Sequence, residues 1–330
     1  MALVLRENDV ASVLTMPDAV NVLDAAFRHQ ASGMSRNQPR SRIVLPEARG
    51  VLHVLSAYVP GQPGHPEQEG PGLVGIKAYT AFAGGVRFVV WLYSGADGRL
   101  LAIIEADLLG QMRTGAASGV ATRYMARADA RVVGLLGTGG QARTQLLAMC
   151  AVRQVERVLV YGRNPERRRE FSEEMAGATG VALTPVASAE EAVREADIVV
   201  TATTAREPIL SGSWLQAGTH INAMGSNWHN RREVDDETIE HSAVVAVDAL
   251  DQARIEAGDL IIPAAAGRFD WARAVELGAV VSGSTPGRSA PNEITFFKSL
   301  GIGLEDVAVA GHVYQLARER GLGSELDILP

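Results

Sequence analysis

Residues 131–142 read Arg-Val-Val-Gly-Leu-Leu-Gly-Thr-Gly-Gly-Gln-Ala, an apolar run that breaks into a Gly-x-Gly-x-x-Ala turn. Val132, Val133, Leu135 and Leu136 have the character of a buried parallel strand, and Gly137 permits the tight turn that must follow it. Gly139 lets the backbone approach a phosphate, and Ala142 is small enough for close helix packing. A helix starting near Gly140, with Thr138 and Gln141 beside its first turn, aims free N–H groups and a positive dipole end at an anion. A helical stretch to about Ala151 and a second strand at Arg157–Tyr161 complete a βαβ unit within the roughly 30 residues such a unit needs. A glycine turn in another kind of α/β protein is the competing reading, and the strand–turn–helix–strand context argues against it. The implied ligand is a dinucleotide.

At 330 residues the chain exceeds the usual single-core size of roughly 250, so two domains are expected. A net charge of −7 speaks against a nucleic-acid partner, because phosphate binding needs clustered, uncompensated Lys and Arg. The one local cluster, Arg163, Arg167, Arg168 and Arg169, has Glu166, Glu170, Glu173 and Glu174 as neighbours and reads as a solvated helix face. Cys150 is the only cysteine, so no intrachain disulfide is possible and nothing suggests a thiolate metal site. The seven histidines show no paired spacing, so no metal is expected. No apolar run reaches the roughly 18 residues of a membrane span, and the N-terminus lacks a signal-peptide pattern. No membrane partner and a cytoplasmic location are the expectation.

Along the chain, the spacing predicts a helix over Met16–Gln30, strands at Ser41–Leu45 and Val51–Tyr58, and a Gly/Pro-rich insertion or lid at Pro60–Gly72. Strands at Leu73–Thr80, Val86–Tyr93 and Arg99–Glu105 follow, the last two joined by an Asp97-Gly98 turn. Asp107 can cap a helix running to about Arg127, with Leu109, Met112, Ala116 and Val120 as its apolar stripe. From Arg131 strands and helices alternate, with apolar runs at Ala196–Thr201, Thr219–Ala223 and Ala243–Val247, and Leu304–Arg320 is a closing helix. The fold class is therefore α/β: a doubly wound domain over 121–304, and a mixed α+β domain over 1–120 on which 305–330 packs back.

The end of the second strand of a dinucleotide unit decides the cofactor, since an Asp or Glu there accepts the ribose hydroxyls of NAD. This chain has Tyr161-Gly-Arg-Asn164 instead; Arg163, with Asn164 beside it, can pair with a 2′-phosphate, which favours NADPH while leaving NADH possible. Three cations in the N-terminal half stand where solubility does not require them. Lys77 lies mid-strand and shares a face with Gly75 and Tyr79; Arg113 is embedded among small helical neighbours; Arg42 precedes an apolar strand. Such cations need a partner, either a substrate carboxylate or an internal Asp or Glu. His53, between Val51 and Leu55 at alternate positions, is a core histidine or a proton donor, and His229 sits in a polar loop.

The chain resembles the ornithine cyclodeaminase/μ-crystallin family over nearly its whole length. The resemblance is carried by Gly75-Ile-Lys-Ala-Tyr79, Gln111-Met-Arg-Thr-Gly-Ala-Ala-Ser-Gly119, Gly134–Ala142, Ile221-Asn-Ala-Met-Gly225 and Glu293-Ile-Thr-Phe-Phe-Lys-Ser299. It implies a Rossmann domain plus a substrate-binding and dimerisation domain, hence a homodimer. It also implies that Lys77, Arg113 and Arg42, or Arg40 in its place, hold a substrate carboxylate, and that Thr114 and Thr203 touch the cofactor. Cyclodeaminases and related alanine dehydrogenases carry an Asp two residues after the Ile-Asn-Ala-x-Gly motif; here that residue is Asn227, which cannot act as a base or pair with an ammonium. Members resembling μ-crystallin lack that Asp and have a tail comparable to Arg232-Glu-Val-Asp-Asp236.

The expected activity is thus NAD(P)H-dependent reduction of the C=N bond of a cyclic or linear α-imino acid, the latter formed from a keto acid and an amine. Lys77 is then the expected proton source for nitrogen. The alternatives are a cyclodeaminase-type lyase using bound NAD⁺ on a basic amino acid, and a non-enzymatic binder that keeps the cofactor fold.

Overall fold

The structure, a computed structural model, describes residues 1–61 and 72–327. Most of the expected Gly/Pro-rich insertion, residues 62–71, lies outside the described residues. The chain divides into two compact units, Met1–Arg113 with Gly301–Pro330, and Thr114–Leu300. The expected breaks were 120/121 and 304/305; this division lies at 113/114, also within a helix, and at 300/301, two residues before one.

The first unit opens with β1 (Ala2–Leu5), α1 (Glu7–Val13) and α2 (Met16–Ala31). It continues through β2 (Arg36–Leu45), β3 (Gly50–Val59), β4 (Leu73–Phe82), β5 (Gly85–Ser94) and β6 (Leu100–Glu105). Thr15 caps α2 by accepting from the Asp18 N–H, Pro17 sits in its first turn, and Val20, Leu23, Ala26 and Phe27 are buried. Strand β2 starts earlier than expected because its pairing with β3 resumes beyond an irregularity between Gln38 and Ser41. Pro39 lies inside that break and has no N–H to give the ladder, which a bulge on an edge strand accommodates.

Helix α3 (Asp107–Met125) carries the chain past the boundary at Arg113. Its start is capped by Glu7 rather than by Asp107: the Glu7 carboxylate accepts from the Asp107 and Leu108 N–H groups at 2.7 and 3.0 Å. Its residues from Met112 to Ala121 are all buried, not just the expected stripe, because Ala, Gly and Ser let neighbours approach from every side.

The second unit is built from β7 (Val132–Leu136), α4 (Gly140–Val152), β8 (Arg157–Tyr161), α5 (Pro165–Thr179), β9 (Ala182–Pro185), α6 (Ala189–Val193) and β10 (Ile198–Thr201). Then come β11 (His220–Ala223), α7 (Asp236–His241), β12 (Ser242–Val247), α8 (Leu250–Glu256), α9 (Gly258–Ala265), β13 (Ala274–Glu276), α10 (Leu277–Val281) and β14 (Ile294–Lys298). Its strands run in the order β13-β12-β14-β11-β10-β7-β8-β9 with every pair parallel. This is the doubly wound architecture: the order reverses between β7 and β10, where ligands bind at the carboxyl ends of the strands.

The chain then re-enters the first unit as α11 (Gly303–Glu319) and β15 (Ser324–Leu326). The sheet of that unit has the order β15-β1-β6-β5-β4-β3-β2, mixed because β1 pairs with β6 in parallel. Helix α11 presses on β4 at Gly75, where a Cβ would lie 2.6 Å from a methyl of Val307. That close seat brings the acidic first turn of α11 down to the middle of β4. No single helix among the described residues is long and apolar enough to cross a membrane.

Candidate active site

Alternation along β4 sets Lys77 and Tyr79 on the face covered by α11, with Leu55 and His53 opposite them on β3 and Val90 and Phe88 on β5. Lys77 is 2% exposed, and its Nζ donates to Asp306 Oδ1 at 2.9 Å while lying 5.0 Å from the Phe88 ring centroid. Arg113, also buried, donates from Nε to the same Asp306 oxygen at 2.8 Å and from Nη1 to Glu305 Oε2 at 2.8 Å. The alternative of internal acid partners, open from the sequence, is therefore realised for both cations.

The acids do not use up the donors. An ammonium has three N–H bonds and a guanidinium five. Beyond the bonds to Asp306 and Glu305, the other two N–H bonds of Lys77 and the Nη2 group of Arg113 have no acceptor among the described residues.

The third cation at this place is Arg40, not Arg42. Arg40 is buried and donates to Tyr79 Oη at 3.2 Å and to the Gly301 carbonyl at 2.8 Å. Arg42 is half-buried and stands opposite His53 in the β2–β3 register. The bulge at Pro39 is what turns Arg40 inward. Gly301 has φ of +74°, and a Cβ there would lie 2.2 Å from Arg113 Nη1, so position 301, two residues before α11, must be glycine for Arg113 to reach Glu305.

Burial lowers the Lys77 pKa to about 8; the Arg113 and Arg40 charges push the same way, and Asp306 opposes them. Burial works against the charge of Arg113 too, but Asp306 and Glu305 outweigh it and hold its pKa above the usual arginine value. His53, stacked on Tyr79 at 4.2 Å, is pulled down to about 3 by burial and then by Arg40 and Arg42. Burial and the two guanidinium charges favour its neutral form. His229 is exposed in its loop.

In the second unit, Gly137 has φ of +128°, and a Cβ there would lie 2.3 Å from the Ala202 carbonyl oxygen. Thr138 and Gln141 are half-buried, Gly139 and Gly140 are exposed, and Ala142 is fully buried against the sheet. No side chain caps α4, so its first-turn N–H groups face outward at the open glycines. The chemistry of this turn fits a dinucleotide pyrophosphate. Arg163 is exposed after β8, whereas the Asn164 side-chain oxygen caps α5 by accepting from the Arg167 N–H at 3.0 Å. Arg168, read as solvated, instead stacks 5.7 Å from the Tyr161 ring and donates to the Gly162 carbonyl.

Thr203 follows β10 as expected, but its N–H and hydroxyl both donate to Glu233 Oε1, at 2.8 and 2.6 Å. Thr114 is buried and its carbonyl accepts from Gln145 Nε2 at 3.1 Å. Asn227 is half-buried in the loop after β11. The expected residues therefore fall into two groups, Lys77 and Arg113 in one unit, and the turn, Arg163, Thr203 and Asn227 at the carboxyl edge of the parallel sheet in the other. Arg40 entered the reading only as the alternative to Arg42, and Glu305 and Asp306 were not singled out.

A model of the ornithine cyclodeaminase/mu-crystallin family matches residues 1–321. The chain belongs to that family. Among its relatives, a Delta(1)-pyrroline-2-carboxylate reductase of Bacillus cereus is 39% identical over 240 residues, covering 72% of this chain and 74% of that protein. The structure of the Thermococcus litoralis Delta(1)-pyrroline-2-carboxylate reductase in complex with NADH and L-proline is 35% identical, covers 98% of this chain and 100% of that one, and superposes with a TM-score of 0.91. An archaeal alanine dehydrogenase dimer with bound NAD is 30% identical, covers 99% of both chains and gives a TM-score of 0.90. The expected pairing of a Rossmann domain with a second domain stands.

The position of the His53 pKa has a direct check. In an NMR titration the His53 ring stays neutral from pH 8 down to pH 5, since it gains a proton only near its pKa of about 3. A midpoint close to the free-histidine value shows that the ring is not in the positive, water-poor setting described.

Proposed function

We propose that this protein reduces the C=N bond of a cyclic or linear α-imino acid with NAD(P)H. The observation that carries the reading is the buried Lys77–Arg113 pair, which keeps N–H donors without acceptors after its internal acids are served. Desolvated donors of that kind are suited to a carboxylate, which forms its strongest hydrogen bonds with cations away from water. The names of the Bacillus cereus and Thermococcus litoralis relatives, and the NADH and L-proline in the latter's complex, support the same chemistry.

In this reading Arg113 and Lys77 hold the substrate carboxylate, and Arg40 joins them in place of Arg42 because its charge is the one that acts on Lys77. A dinucleotide held at the Gly137–Ala142 turn would supply the hydride that the imine carbon needs. Lys77, with a pKa near 8, carries a proton at neutral pH and can deliver it to the imine nitrogen, a protonated iminium being the better hydride acceptor. Asn227, where cyclodeaminases resembling this chain have Asp, holds or orients by hydrogen bonds and does not exchange protons. Turnover with Δ1-pyrroline-2-carboxylate consumes one reduced cofactor per product; ammonia release from ornithine without net cofactor change defeats the proposal in favour of a lyase.

The finer cofactor choice is NADPH, from Arg163 and the lack of a carboxylate in Tyr161-Gly-Arg-Asn164. Assembly as a homodimer accompanies the proposal. Ile43, Leu45, Val74, Phe82 and Trp91 share the sheet face opposite Lys77, and all are exposed apolar side chains. A face of that kind on a soluble enzyme is normally covered by another subunit, and the archaeal alanine dehydrogenase relative is a dimer.

Four outcomes follow. With a Lys77 pKa near 8, kcat/KM for imine reduction is flat below that value and falls about tenfold per pH unit above it, as the ammonium is lost. Lys77→Met abolishes that limb and lowers kcat/KM by about 100-fold; near-normal turnover at saturating imine rules out a proton role for Lys77. Arg163→Ala weakens NADPH use about tenfold while leaving NADH use unchanged, and an equal effect on both cofactors removes the assignment of the 2′-phosphate. Trp91→Glu shifts the sedimentation mass from dimer to monomer; an unchanged mass places the interface elsewhere.

A further inference from the structure

We propose that Glu233 is the positioning residue of the dinucleotide site, fastening the segments after β10 and β11 in the shape the cofactor requires. The inference rests on the dinucleotide reading of the second unit given above.

Glu233 lies in the Arg232-Glu-Val-Asp-Asp236 stretch and is fully buried. Its Oε1 accepts from the Thr203 N–H at 2.8 Å and the Thr203 hydroxyl at 2.6 Å. Its Oε2 accepts from the Thr201 hydroxyl at 2.8 Å and the Gly225 N–H at 2.7 Å. One side chain thus ties the end of β10, the segment after it, and the segment after β11. Both oxygens are saturated, and every partner is a donor, a set that matches a carboxylate and not an amide.

A carboxyl group is a costly way to fill a core, since it must be desolvated and then fully hydrogen-bonded. Its surroundings are built to keep it there. The Glu233 N–H donates to Asp259 Oδ1 at 2.7 Å, and the other oxygen of Asp259 lies 2.8 Å from Lys298 Nζ, so one buried lysine at the end of β14 faces two buried acids. Gly225 is shaped by the same group: a Cβ there would lie 2.4 Å from Glu233 Oε1 and 2.4 Å from the Thr203 carbonyl oxygen.

The place of this hub gives it a purpose beyond packing. Thr201, Gly225 and Lys298 stand at or just past the carboxyl ends of adjacent parallel strands, the edge where α/β sheets bind ligands. Ala202, held between the two threonines that donate to Glu233, has the carbonyl oxygen against which the Gly137 turn closes. Glu233 therefore sets the wall on which the phosphate-binding turn rests, without itself being open to a ligand.

The experiment compares wild type, Glu233→Gln and Thr201→Val in the full chain. It uses fluorescence titration of NADPH and NADH, the imine KM at saturating cofactor, and thermal melting. Thr201 is buried, and its replacement by the isosteric valine removes one of the four bonds, which keeps the test decisive if Glu233→Gln does not fold. The expected result is a cofactor Kd raised about tenfold in Glu233→Gln and about threefold in Thr201→Val, with imine KM within about twofold of wild type. Wild-type cofactor Kd in the folded variants overturns the inference, as does a parallel loss of imine and cofactor binding, which a generally loosened fold would give. Failure of the wild-type protein to bind either dinucleotide overturns the underlying reading instead.

Discussion

One carboxylate oxygen governs the first unit. Asp306 Oδ1 accepts from both Lys77 and Arg113, residues 229 and 193 positions earlier in the chain. Two cations this far from water are untenable alone, and removing the shared acid from such a cluster typically costs about 3–5 kcal/mol because it leaves uncompensated charge in the interior. The path of the chain follows from that need. After the long excursion through the parallel sheet it must return, and α11 must sit close enough on β4 for an acid in its first turn to reach the strand's midpoint. The glycine at position 75 permits the seat, and the left-handed Gly301 leaves room for the guanidinium.

The cations were legible and their acids were not, for a simple reason. Lys77 inside an apolar strand and Arg113 among alanines and glycines contradict their surroundings, so each announces a partner. Glu305 and Asp306 stand in the first turn of a helix, where acids complement the dipole and are usually solvated. Nothing local marks them as buried. Arg40 and Arg42 were indistinguishable for a different reason: strand alternation assigns their faces only if the ladder is regular, and Pro39 interrupts it. The register of β2 depends on a pairing that a linear reading does not contain.

The parallel sheet was the more legible half, because its signals are local. The strand before Gly137, the turn and α4 fell where the motif places them, and the all-parallel order follows from the alternation of strands with helices. What local pattern missed is again a long-range polar tie. Thr203 looks like a strand-end residue available to a ligand, yet its donors go to Glu233, 30 residues on. Asn164 looks like a ligand contact and is engaged as a helix cap. At a strand end the same residue types serve loops, caps and ligands, and only the partner decides which.

The mixture of cation types in the first unit has a chemical logic of its own. An arginine keeps its charge at every pH the protein meets, and Asp306 and Glu305 reinforce this for Arg113. A lysine responds to burial, and the nearby guanidinium charges bring Lys77 into the range where it exchanges protons near neutrality. Burial is thus the main agent that makes Lys77 labile, the permanent charge of Arg113 adds to it, and Asp306 limits how far the shift goes. A second arginine at position 77 would bind an anion as well but would have no proton to lend, and a lysine at position 113 would lose the two-acid anchoring that a forked guanidinium allows. In the proposed reaction, holding an acid group and moving a proton beside it call for different side chains, and the shared oxygen of Asp306 lets the two occupy one small space.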